Sequence, residues 1–243
     1  MPTLELADLA TGYSRAGNTM MLHSRMNWTA ESGELVLLAG RNGAGKTTLM
    51  RTLCGLHEPA SGKVLIQGSD LHALSSEARA ACVSLLMSSA PSMPLTRAIE
   101  VVLTGRHRML NPWTLDESNH LDLCLKCMKT VGVGHLQNRE FSKLSDGEKQ
   151  KVMLARCLAQ ETPLLLLDEP LAFLDYPSRR ELLQLFRQLC TGAGKCIVYS
   201  SHDLELALQY ADHLLFLADE GKWQWISGKE QIAAIAAASL FAS

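Results

Sequence analysis

Along the 243 residues the rhythm of apolar and polar positions changes several times. Over residues 3–29 the two classes alternate, the period of strands covered on one face, and this predicts antiparallel strands. Residues 34–39 (ELVLLA) form a short apolar run that stops at Gly40, which predicts a buried strand entering a loop. Residues 47–56 read as a helix and end in the turn cluster Glu58-Pro59-Ala60-Ser61-Gly62, after which 64–66 is a further short strand.

From about residue 88 to 143 the texture differs. Pro91, Pro94 and Pro112 punctuate the first half, and helical patterns run over 97–103 and 115–131, so this stretch reads as a mainly helical insertion. Strand signals return at 164–167, 196–200 and 214–217 with helical stretches between them. That rhythm predicts an α/β fold with a mostly parallel sheet and helices on both faces. The chain ends in an Ala-rich segment, 232–243, of helical propensity; no internal repeat or low-complexity tract is visible.

Composition narrows the classes. A hydrophobic fraction of 47% is ample for one sizeable core. Lys and Arg total 23 against 25 Asp and Glu, so the chain carries no electrostatic footprint for nucleic acid. Seven scattered cysteines suit a reduced, intracellular protein better than a disulfide framework. Cys124-Leu-Lys-Cys127 has metal-ligand spacing, yet no second pair accompanies it and it sits in a helical pattern, so both read as ordinary helix residues. No secretory signal opens the chain, and no run approaches the roughly 18 apolar residues of a spanning helix. If the protein powers transport, another polypeptide supplies the pore.

Two segments carry chemistry. Gly40-Arg41-Asn42-Gly43-Ala44-Gly45-Lys46-Thr47 matches G-x-x-x-x-G-K-[ST] between an apolar strand and a helix. Its glycines let backbone N–H groups turn inward on phosphate oxygens, and the helix behind adds the positive end of its dipole. Lys46 is then expected at the β- and γ-phosphates, with the Thr47 hydroxyl on Mg²⁺. Leu164-Leu165-Leu166-Leu167-Asp168-Glu169 reads as a strand buried on both faces that ends in two carboxylates. Asp168 is expected to face the metal that Thr47 holds, and Glu169 to polarise a water for attack on the γ-phosphate. A third segment, Leu144-Ser145-Asp146-Gly147-Glu148, has the S-x-x-E spacing of a capping box before a helical run; taken alone it is a helix cap.

These pieces in this order resemble an ATP-binding-cassette ATPase, over nearly the whole chain. Residues 40–48, Thr48 included, are similar to the family's Walker A, 144–148 to its signature motif in an LSDGE form, and 164–169 to Walker B with the catalytic glutamate. Leu174-Asp175 resembles the end of the D-loop, His202 the switch histidine, and Tyr13 the aromatic residue that stacks on adenine. The resemblance implies a P-loop NTPase with an N-terminal antiparallel β subdomain and a helical insertion subdomain. It implies a single domain over 1–243, with 1–87 and 151–243 as nucleotide-binding core and about 88–150 as helical subdomain. It also implies a homodimer that sandwiches two ATP molecules, Ser145 and Gly147 of each copy reaching the nucleotide of the other.

In one respect the sequence departs from the family. A Gln usually opens the helical subdomain and contacts Mg²⁺ and the attacking water; here Ser88 or Ser89 stands in its place, which implies a slower or altered hydrolysis cycle. Softer similarities, in 53–62, 104–108 and Asn111-Pro112-Trp113, are to the ATPase subunits of importers for iron–siderophore, haem or cobalamin. Such a subunit implies a membrane permease, indirectly a substrate-binding protein, and a peripheral place on the cytoplasmic face of the inner membrane. A soluble cassette ATPase of an assembly system, such as iron–sulfur cluster construction, is the alternative that these motifs leave open. A DNA-repair or translation cassette fits poorly, because only one phosphate loop is present and no long insertion separates the motifs.

Overall fold

A computed structural model describes residues 1–15, 18–109, 117–228 and 230–232. Of residues 13–15, 18–20, 108–109 and 117–118 only the backbone is described. Strands β1 (Leu4–Arg15) and β2 (Asn18–Ala30) pair antiparallel, as the alternation predicts. After β3 (Leu35–Gly40) and helix α1 (Lys46–Leu53), strands β4 (Ser61–Ile66) and β5 (Ser69–Asp70) complete a four-stranded sheet in the order β2-β1-β4-β5. Helix α2 (Ser76–Cys82) leads into β6 (Val83–Leu86). Helices α3 (Ala98–Leu103), α4 (Glu117–Thr130) and α5 (Asp146–Ala159) then pack on one another.

The second sheet adds β7 (Leu164–Leu167), β8 (Cys196–Ser200), β9 (His213–Leu217) and β10 (Trp223–Ser227), with α6 (Tyr176–Ala193) and α7 (Leu204–Leu208) between. Its order is β10-β9-β3-β8-β7-β6, parallel except for β10, which runs antiparallel to β9. The continuous apolar runs of β3 and β7 follow from cover on both faces. Val36, Leu38, Leu164 and Leu166 face α1 and the antiparallel sheet. Leu35, Leu37, Leu165 and Leu167 face α6 and the helical segment. A period of two thus sorts each strand between two cores.

Local chemistry sets the helix ends. Asp175 caps α6, its carboxylate accepting from the Ser178 amide at 3.0 Å, and Gly194 ends that helix in the left-handed conformation. Leu182, Leu183, Phe186 and Cys190 form the buried stripe of α6, and the Phe186 ring meets Tyr199 of β8 edge-on at 5.8 Å. Each large side chain so buried contributes about 1.5–3 kcal/mol. The helix predicted over 47–56 is shorter at its far end: it gives way at Cys54, where the Leu56 and His57 amides turn back to the Arg51 carbonyl.

Cys124 and Cys127 lie in α4 with both thiols in the core, and burial pushes each up to about 11. Among the described residues no helix is long and apolar enough to cross a membrane. The segment Asn111-Pro112-Trp113 and most of the Ala-rich tail lie outside the described residues.

Candidate functional site

The parallel strands deliver their carboxyl ends to one place. β3 runs into the phosphate loop, β7 into Asp168-Glu169, β8 into Ser200-Ser201-His202, and β6 towards Ser88. In a parallel sheet this is the edge where ligands bind. A cavity of about 330 Å³ sits there, lined by Leu22, Asn42, Gly43, Gly45, Lys46, Thr47, Thr48, Ser88, Asp168, Glu169 and His202. Residues far apart in sequence thus meet in one polar pocket.

Within it, Thr47 Oγ1 donates to Asp168 Oδ2 at 2.9 Å, which brings two hard oxygen ligands together at the helix N-terminus. A hydroxyl and a carboxylate so placed fit Mg²⁺, which binds through few protein oxygens plus phosphate and water. Lys46 Nζ donates to the carbonyls of Gly40 and Arg41 at 2.8 and 3.1 Å. Burial lowers the pKa of this lysine, and the charges of Glu169 and Asp168 oppose that fall. Glu169 Oε1 lies 3.0 Å from His202 Nε2. Burial raises the Glu169 pKa and the Asp168 charge adds to the rise, while His202 and Lys46 oppose it. A carboxyl held closer to neutrality than usual is a stronger base once ionised.

Gly45 sits at φ 91°, and a β-carbon there would come 2.9 Å from the ring of His23. That histidine is a supporting residue that the sequence pattern does not disclose. It is buried in β2, its Nδ1 lies 3.2 Å from Thr11 Oγ1, and its ring also bonds the Ala44 backbone. The phosphate loop therefore rests on the antiparallel sheet.

Of the other expected site residues, Gly40 closes β3, while Arg41 is exposed, 3.5 Å from Asp219. Of Ser88 and Ser89, only Ser88 lines the pocket. Tyr13 has its backbone in β1, and its side chain lies outside what is described. Ser145, Gly147 and Asp175 do not line the pocket. Ser145 caps α5 in a complete capping box: its Oγ accepts from the Glu148 amide at 3.3 Å and its own amide donates to Glu148 Oε2 at 2.8 Å.

Two buried side chains brace the acidic strand end without appearing in any motif. Gln150 Nε2 donates to the Glu169 carbonyl at 3.2 Å. Ser200 Oγ accepts from the Glu169 amide and donates to Asp168 Oδ1, both at 2.8 Å. The one signal for Ser200 in the sequence is its place at the end of an apolar strand beside His202.

Residues 23–172 match the ABC transporter family. The chain belongs to that family. It is 40% identical over 189 residues to the cobalamin import ATP-binding protein of Halobacterium salinarum, a match covering 77% of this chain but only 46% of that relative's length. Over 224 residues it is 36% identical to the hemin import ATP-binding protein of Methylobacillus flagellatus, covering 89% of this chain and 81% of the relative. Among solved structures, an inward-facing metal-chelate type ABC transporter superposes with a TM-score of 0.82 at 23% identity, covering 99% of this chain and 89% of the other. A dimeric bacterial ABC transporter cassette gives 0.82 at 24% identity, covering 92% and 98%. At such identities the structural likeness establishes the cassette fold alone.

Proposed function

We propose that this cassette binds and hydrolyses ATP as the energy-coupling subunit of an importer for a metal chelate, an iron–siderophore, haem or cobalamin. The observation that carries the reading is the single pocket in which Lys46, Thr47, Asp168, Glu169 and His202 converge. Lys46 exchanges its loop carbonyls for the β- and γ-phosphate oxygens, whose full charge outcompetes a carbonyl. Thr47 and Asp168 hold Mg²⁺, which when bound neutralises phosphate charge. Glu169 takes up a proton from the attacking water, and His202 supports the γ-phosphate. Gly40, Arg41, Asn42, Gly43, Ala44, Gly45 and Thr48 form the cradle, and Tyr13 stacks on adenine.

Ser145, Gly147 and Asp175 lie outside their own pocket, which supports a homodimer in which each copy completes the other's site. In the same reading 1–87 and 151–243 form the nucleotide-binding core and about 88–150 the helical lobe. A groove of about 390 Å³ lined by Cys54, Leu56, Arg79, Met87 and Arg156 suits a docked permease segment, since Leu56 and Met87 expose 63% and 38% of their surface at its rim. The permease would hold the chain at the cytoplasmic face of the inner membrane, with a substrate-binding protein acting indirectly. The importer names carried by the cobalamin and hemin relatives favour this over a soluble assembly ATPase.

Exchanging Glu169 for Gln tests the chemistry: ATP binding should persist while hydrolysis falls by about a hundredfold to ten-thousandfold. Normal turnover in that variant removes Glu169 as the base. Co-purification tests the setting, since recovery with soluble partners alone, and never with a detergent-solubilised permease, overturns the importer reading.

A further inference from the structure

We propose that Ser200 is a positioning residue that sets the two pocket carboxylates relative to each other, and so governs both metal binding and water activation. The proposal rests on the reading above, in which Asp168 holds Mg²⁺ and Glu169 polarises the water.

The geometry assigns every hydrogen. β7 and β8 are parallel with Leu167 opposite Tyr199, so Asp168, just past the end of β7, stands beside Ser200, the last residue of β8. A backbone N–H can only donate, so the 2.8 Å contact from the Glu169 amide falls on a lone pair of Ser200 Oγ. An ionised carboxylate can only accept, so the hydroxyl proton goes to Asp168 Oδ1, also at 2.8 Å. Ser200 is 0% exposed, so both bonds are made inside the protein.

Each bond has its own consequence. With Ser200 on Oδ1 and Thr47 on Oδ2, both oxygens of Asp168 are engaged, which fixes the plane of the carboxylate that meets the metal. The second bond acts on the backbone of Glu169, which stands at φ 52°, in the left-handed region that a residue with a β-carbon avoids. Ser200 holds the amide of that residue and Gln150 its carbonyl, so the conformation that aims the Glu169 side chain into the pocket is clamped at both ends. Loss of the hydroxyl would leave a buried amide without a partner and free one carboxylate oxygen.

Two substitutions in the full chain separate positioning from packing. Ser200→Ala keeps the volume nearly unchanged but removes both bonds; Ser200→Thr keeps the hydroxyl and adds a methyl group. In Ser200→Ala the affinity for ATP in EDTA should stay within about twofold, while the tightening of ATP binding by Mg²⁺ weakens and turnover at saturating MgATP falls, each by about tenfold or more. Ser200→Thr should recover both, and if its methyl group prevents folding the alanine variant decides alone. A packing role predicts the reverse order, with alanine silent. The proposal is overturned if Ser200→Ala retains its response to Mg²⁺ and its turnover within about twofold, or if it loses metal-free ATP binding in step with both. A silent Ser200→Ala beside an inactive Glu169→Gln would refute only the role of Ser200, whereas an active Glu169→Gln would refute the functional reading beneath it.

Discussion

Gly147, in the first turn of α5, lies so close to Phe173 that a β-carbon on the glycine would sit 2.9 Å from the Phe173 carbonyl oxygen. The start of α5 is thereby pressed against the loop that leads from Glu169 to α6. Gly147→Ala should force that loop to shift, at a cost of about 1–3 kcal/mol in unfolding free energy. Denaturant unfolding measures this, and an alanine variant as stable as the parent would show that the contact yields freely.

His23 gives the fold a dependence on pH. Its pKa is lowered from the usual 6.5, first by burial and against the opposing effect of its bond to Ala44. Its partners are a hydroxyl, Thr11, and the Ala44 backbone, neither of which carries charge. Below about pH 6.5 the unfolded chain therefore binds a proton that the folded chain resists, so stability is retained above that value and falls as the pH drops. The midpoint of thermal unfolding should fall between about pH 7.5 and 5.5, and His23→Gln should flatten the fall. An unchanged slope in the variant would show that other groups set it.

Arg106 ties the turn that follows α3 to α4 and to the end of α5. Its guanidinium, almost wholly buried, donates to Glu161 Oε2 at 2.6 Å, to the Ala159 carbonyl at 2.8 Å and to His120 Nδ1 at 3.2 Å. Arg106→Ala should cost about 2–4 kcal/mol, since it strands a buried carbonyl and opens a void. Glu161 is half-exposed, so water can replace its carboxylate, and Glu161→Gln should cost less, about 1 kcal/mol. Chemical denaturation of the two variants checks the order, and equal losses would mean that the charge of the pair dominates.

How much of this was legible depended on whether the cause was local. The bounds of β7 and β8 could be read directly, because an apolar run flanked by polar turns is itself the pattern of a strand covered on both faces. The phosphate loop and the acidic pair were legible for a similar reason, each being a contiguous segment. Helix α2 was not, because none of its residues is buried and no apolar stripe marks it; only its Ser75 cap signals a start. β10 was missed as well, an edge strand with its residues half-exposed or exposed and so without a clear apolar rhythm. In the site, the choice of Ser88 over Ser89, the bonds of Ser200 to a strand 32 positions away and the support from His23 all depend on register and packing. No local pattern encodes these.

Helix α5 joins two tasks in one rod. Ser145 stands at its front, and Gln150, which grips the Glu169 carbonyl, follows about 7 Å along the axis, little more than one turn. In a two-fold sandwich of the kind proposed, the phosphate of one nucleotide would press on the tip of this rod while the rod holds the backbone of the glutamate that takes a proton from the water attacking the other. In such a pair the two pockets would be joined through α5, by the bond of Gln150 and by the close approach of Gly147 to Phe173.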